Sequence, residues 1–131
     1  MIVADTSAWI EFLRATGSRE DVELRRLLNT EAEIGITDIV AMELLAGARP
    51  KDIPRLRTQM LQLPILPLDG LGDFEEAAAL YRACRSSGET IRRLTDCLIA
   101  VPVIHAEAEL LHKDSDFEAL ARHSDLQIYR H

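Results

Sequence analysis

Short apolar runs alternate along the chain with stretches whose apolar residues recur every three or four positions. That rhythm predicts an α/β fold with a mainly parallel sheet of about five strands. MIVA (1–4) reads as a buried strand. DTSAWIEFLR after it reads as a helix capped by Thr6 or Ser7, with Trp9, Phe12 and Leu13 on one face and Glu11 and Arg14 turned away. DVELRRLLN (21–29) continues as a second helix. EIGI (33–36) is the next strand, and Thr37 or Asp38 caps the helix IVAMELLAGA. A helix follows over 52–62, and PILPL (64–68) is a brief extended piece bounded by two prolines. The long periodic stretch 72–88 stops at Gly88. LTDCLIAVPVIHA reads as a buried helix that Pro102 should bend or end early. AELL (108–111), SDFEALARH and LQIY complete the pattern as strand, short helix and strand.

No repeat, low-complexity tract or linker divides the 131 residues, so one domain over 1–131 is expected. No apolar run approaches the roughly 18 residues of a membrane span, and the start MIVADTSAWI has no basic leader, so a cytoplasmic protein is expected. Cys84 and Cys97 sit in helical patterns without metal-ligand spacing and read as buried thiols.

This layout gathers acids at one place. Ligands of parallel α/β sheets bind beyond the carboxyl ends of the strands. Asp5 follows the first strand, Asp114 and Asp116 follow the fourth, Asp96 opens a buried helix, and Glu43 lies inside an apolar helix. Taken singly, Asp5 is an ordinary helix cap, Asp96 a first-turn acid answering a helix dipole, and Asp114 and Asp116 turn residues. Together they repel. Two carboxylates about 4 Å apart cost about 4 kcal/mol at an effective dielectric of about 20. Several such pairs would consume much of the roughly 5–15 kcal/mol that holds a domain together. Either the acids are partly protonated or a hard cation, Mg²⁺ or Mn²⁺, joins them through oxygen ligands. His105, His112, His123 and His131 form no helical ligand pair with a second acid or cysteine, which argues against a transition-metal site.

A net charge of −7 speaks at first against a nucleic-acid partner. A bridging cation removes that objection, because acidic protein and anionic phosphodiester then share one ion. Of the fifteen basic residues thirteen are arginine, the side chain that grips phosphate in a fork, although a GC-rich coding sequence gives the same bias. Arg14, Arg49, Arg92 and Arg93 could steer a backbone from the rim.

Four segments, DTSAWIEF (5–12), AMELLAG (41–47), TDCLIA (95–100) and LLHKDSDFEAL (110–120), in this order, resemble the motifs of PIN-domain ribonucleases, specifically the VapC-type toxins of type II toxin–antitoxin pairs. The resemblance runs nearly end to end. It implies a PIN-like fold and metal-dependent hydrolysis of RNA, with structured RNA such as tRNA as target. It also implies an acidic quartet of Asp5, Glu43, Asp96 and Asp114, with Asp116 either an accessory metal ligand or an acid behind the ligands, and Asp5 and Asp96 as the first choices for direct metal contact. Thr6 or Ser7 would hold Asp5. A homodimer and a VapB-type antitoxin whose tail fills the groove follow from the same likeness. Pro102 and Glu107 depart from the family pattern.

Three other readings fit less well. A receiver-type signalling domain needs paired acids after the first strand and a suitably placed lysine. A haloacid-dehalogenase-like phosphatase needs D-x-D where this chain has DTS. A PIN fold that binds RNA or partners without cutting would not need the acids.

Overall fold

Strand β1 (Ile2–Ala4) has a neighbour on each side, which is why its short apolar run is sealed from water. In the computed structural model, which describes residues 1–131, it pairs in parallel with β2 (Ile34–Thr37) and with β4 (Glu109–Leu111). The sheet is completed by β3 (Ile65–Leu66) beside β2 and β5 (Gln127–Ile128) beside β4, giving five parallel strands in the order β3-β2-β1-β4-β5. Register matches Val3 to Gly35 on one flank and to Leu110 on the other.

Helices fill the crossovers that parallel pairing demands. Helices α1 (Thr6–Leu13) and α2 (Arg19–Leu28) join β1 to β2. Then α3 (Asp38–Gly47), a 3-10 turn (Pro50–Asp52) and α4 (Ile53–Met60) lead to β3. The long α5 (Gly70–Ser86) and α6 (Leu94–His105) carry the chain across to β4, and α7 (Asp116–Arg122) joins β4 to β5. One connection leaves β1 towards β2 while the next strand on the other side, β4, leads away to β5. The order therefore reverses between β1 and β4, where α/β sheets open a crevice at their carboxyl ends.

A single cluster of 27 buried apolar residues fills the space between sheet and helices. Helix α6 runs through its centre, with Cys97, Ile99, Ala100, Val101, Pro102 and Val103 all buried. Phe117, the largest fully buried side chain, pins the start of α7. Cys84 and Cys97 are both free and buried, as expected, and burial pushes the Cys97 thiol up to about 12. No helix is long and apolar enough to cross a membrane.

Local details depart from the sequence expectations. The cap of α1 is Asp5, whose carboxylate accepts the Ser7 N–H at 2.9 Å, so neither Thr6 nor Ser7 is the cap. Leu13 shares the face of Trp9 and Phe12, as expected, and lines the same hollow, but as the last residue of α1 it is 48% exposed. Thr37 rather than Asp38 caps α3, while Asp38 accepts the Leu68 N–H and ties α3 to the segment after β3. Pro102 does not end α6, which continues to His105; the proline is buried and its carbonyl accepts the Ala106 N–H.

Glu107 closes α6 in a left-handed conformation, φ +53°, just where the N–H groups of Glu107 and Ala108 bond back to Ile104 and Val103. A side chain there costs roughly 1–2 kcal/mol, and a glycine carries no such penalty, though it brings a more flexible unfolded chain. Glu107→Gly should therefore raise stability by about 0.5–1 kcal/mol in urea melts. A loss of stability would show that Glu107 contributes contacts worth more than the strain.

Candidate functional site

The crevice between β1 and β4 begins with Asp5. Its N–H donates to the Leu111 carbonyl at 2.9 Å, so the first acid is seated against the end of β4. Its Oδ2 accepts two hydrogen bonds from Ser7, 2.9 Å from N–H and 2.6 Å from Oγ–H. The same Ser7 hydroxyl accepts the Lys113 N–H at 2.9 Å, fastening the loop after β4 to the loop after β1. Oδ1 of Asp5 is buried and has no partner. The carboxyl is 1% exposed, and burial, with Glu43 adding to it, raises its pKa despite the Ser7 hydrogen bonds.

Thr6 does different work from Ser7. Its hydroxyl donates to Glu43 Oε1 at 2.8 Å, bracing half-buried Glu43 across from α1. Glu43 therefore faces a polar partner within an otherwise apolar helix, and Ser7 alone holds Asp5.

Asp96 lies in the first turn of α6, fully buried, with neither oxygen hydrogen-bonded. Desolvation raises its pKa to about 7. Arg93, with Nη2 3.5 Å from Oδ1, pulls the other way, and Asp5, Asp114 and Asp116 add to the rise. From the far side come the two acids around α7. Asp114 Oδ1 accepts from Arg92 Nη2 at 2.7 Å and from the Asp116 N–H at 3.0 Å. Asp116 Oδ2 accepts both the main-chain N–H and Nε of Arg92, each at 3.0 Å. One oxygen each from Asp96, Asp114 and Asp116 lie within 4.8 Å of one another.

Four of the sequence-predicted acids thus gather at the crevice, and Glu43 joins them through Thr6. The compact set is Asp96, Asp114 and Asp116. Asp5 stands outside that triangle, yet its charge is felt by Asp96. Of the basic residues, Arg92 and Arg93 lie among the acids, with Arg93 Nη2 also 3.5 Å from Asp114 Oδ2. Lys113 points elsewhere, to Glu11. Arg14 lines a groove of about 590 Å³ that starts at Glu43 and runs between α1, α3 and α4, along with Arg25, Arg49 and Arg55. The sequence put Arg93 near the acids, three residues before Asp96, but gave no sign of Arg92, which lies more than twenty residues from both its partners.

The donor set suits a hard cation. All the groups are carboxylate oxygens, with no histidine or cysteine among them, and three buried oxygens on Asp5 and Asp96 lack any partner. Unpaired buried carboxylate oxygens are costly, and a divalent ion would supply the missing partner. Asp5, Asp96, Asp114 and Asp116 are the residues that could hold it.

Comparison with known proteins identifies the family. The PIN domain family matches residues 2–123. VapC ribonuclease Mb1587 of Mycobacterium bovis and ribonuclease VapC11 of Mycobacterium tuberculosis are each 46% identical over 129 residues, covering 97% of this chain and 96% of theirs. Among solved structures, VapBC2 from Rickettsia felis, bound to a promoter DNA fragment, matches with a TM-score of 0.74 at 20% identity over 98% of both chains, a likeness of fold. From its matched residues and its relatives, this chain belongs to the PIN domain family, among the VapC ribonucleases.

Proposed function

We propose that this protein is a metal-dependent endoribonuclease, the toxin of a type II toxin–antitoxin pair, and that Asp5, Glu43, Asp96 and Asp114 carry the reaction. The observation that supports it most is the unpartnered state of Asp5 Oδ1 and both Asp96 oxygens beside two further carboxylates. A hard cation such as Mg²⁺ or Mn²⁺ supplies, when bound, polarisation of a phosphate oxygen and a lowered pKa for water. Asp5, Asp96 and Asp114 would hold it, with Asp116 as an accessory ligand that also anchors the main chain of Arg92. Glu43, oriented by Thr6, accepts a proton from the attacking water. The water oxygen bonds to phosphorus, the bond from phosphorus to the leaving ribose oxygen breaks, and that oxygen takes up a proton. Arg92 and Arg93, which lie beside the acids, would meet the RNA phosphates there, and Arg14 would guide the backbone further along the groove.

The relatives' names include ribonuclease, and structured RNA such as tRNA is the proposed substrate. Structural neighbours include a toxin–antitoxin complex from Klebsiella pneumoniae and a member of the VapBC family of toxin–antitoxin systems from Mycobacterium tuberculosis, and the partner we propose is a VapB-type antitoxin. Its tail would follow the groove past exposed Leu13 into the apolar hollow of about 190 Å³ floored by Trp9, whose buried indole N–H is unpartnered. A homodimer would cover exposed Met42 and Leu94. A cytoplasmic single domain fits this reading. Expression alone should arrest growth, and a short gene just upstream should relieve it.

Asp5→Asn, Asp96→Asn and Asp114→Asn should each lower RNA cleavage on the order of 100-fold or more, with far-ultraviolet circular dichroism unchanged. EDTA should do the same to the unaltered protein, and Mg²⁺ or Mn²⁺ should reverse it. Full activity in the Asp5 and Asp96 variants would overturn the assignment, and indifference to EDTA the metal role.

The raised pKa of Asp96 gives a second test with a fixed sign. Asp96 ionises near 3.9 in the unfolded chain and near 7 in the metal-free fold. Its contribution to stability is therefore fully present below about pH 4 and lost as the pH rises to about 7. In EDTA, Asp96→Asn should match the unaltered protein at pH 4 and exceed it at pH 8 by on the order of 4 kcal/mol. Saturating Mn²⁺ should close the gap by stabilising only the unaltered protein. Parallel urea-melt curves across that range would contradict the buried, uncompensated charge.

A further inference from the structure

The turn from β4 into α7 carries Asp114, and its conformation is set by a side chain outside the acid cluster. His112 is 8% exposed at its side chain and packs its ring against Phe117, centroids 5.5 Å apart. Its Nδ1 lies 3.0 Å from the Asp114 main-chain nitrogen. A main-chain N–H can only donate, so Nδ1 presents a lone pair and the imidazole proton sits on Nε2. That nitrogen faces Glu118 Oε1 at 3.3 Å, and Glu118 is gripped at both oxygens by Arg130, at 2.7 and 3.0 Å. A chain of polar contacts thus runs from Arg130 through Glu118 and His112 to the backbone of Asp114. Beyond it, Asp114 Oδ1 accepts the Asp116 N–H, so one residue's placement orders the next.

We propose that His112 is a positioning residue for the carboxylate cluster: its Nδ1 accepts the Asp114 N–H and so sets where Asp114 presents its oxygens. The inference rests on the metal-dependent reading of the cluster and adds to it a residue that touches neither ion nor substrate. A packing role would require only an apolar side chain of similar bulk against Phe117. The geometry requires an acceptor, because losing it leaves the Asp114 N–H to seek another partner and lets the turn swing. Partners of this kind usually matter by 10- to 100-fold in metal affinity.

The test compares His112→Leu, which keeps bulk and removes the acceptor, with His112→Asn, whose Oδ1 can replace Nδ1. Mn²⁺ binding is followed by electron paramagnetic resonance, RNA cleavage gives kcat and KM separately, and ¹⁵N correlation spectra report the imidazole tautomer of the unaltered protein. Expected are a weakening of Mn²⁺ affinity of about 10-fold or more in His112→Leu, a fall in kcat with KM little changed, and values within about threefold of normal in His112→Asn. The tautomer should carry its proton on Nε2. Leucine binding Mn²⁺ as well as histidine, asparagine failing as badly as leucine, or a proton on Nδ1 would each overturn the inference while leaving the metal reading intact. Failure of the unaltered protein to bind Mn²⁺ at all would instead bring down the metal reading, and this inference with it.

Discussion

Mutual repulsion among carboxylates at the end of one sheet is the constraint around which this structure is organised. Asp96 is fully buried with neither oxygen hydrogen-bonded, and Asp114 and Asp116 approach it within 4.8 Å. Water cannot reach Asp96, and the charges of Asp5, Asp114 and Asp116 add to the burial that makes its ionisation costly. The fold meets that cost in two ways: Asp96 has its pKa lifted to about 7, and two guanidinium groups lie among the acids. Neither response is complete, which is what leaves the cluster receptive to a cation.

The scaffold makes such crowding tolerable by spending its rigidity there. Asp5 is seated against β4, Ser7 ties it to the loop after that strand, and Asp116 fastens the approach to α6 by the main chain of Arg92. Behind these contacts lies a continuous apolar core with α6 at its centre and Phe117 sealed beneath the D-x-D turn. Movement of any one acid away from the others would disturb packed side chains, and dense interiors resist that. Stability invested in the core is thus what holds like charges together.

Much of this was legible in the residues. The parallel strands, the order of helices and the five acids follow from apolar runs, caps and motif spacing. What escaped was decided by where partners came from. Asp5 displaced Thr6 and Ser7 as the cap of α1, because the strand delivers its carboxylate straight onto the Ser7 N–H. Thr6 was thereby left for Glu43, 37 residues away. Pro102 did not end α6, since the helix is locked on all sides by the core and the lost N–H is one bond among many favourable contacts.

The chain by itself determined which residue types are available and in what secondary structure they ride, because strand and helix periods are local properties of neighbouring side chains. It therefore settled the α/β class, the family likeness and the identity of the acids. Only the tertiary structure decided the distances: that Asp96, Asp114 and Asp116 form the compact set while Asp5 stands just outside, that Arg92 and Arg93 lie among them, and that His112 holds the Asp114 backbone. Those are contacts between segments or across a turn whose shape the fold imposes, and electrostatic energy depends on separation and burial, quantities no linear spacing contains.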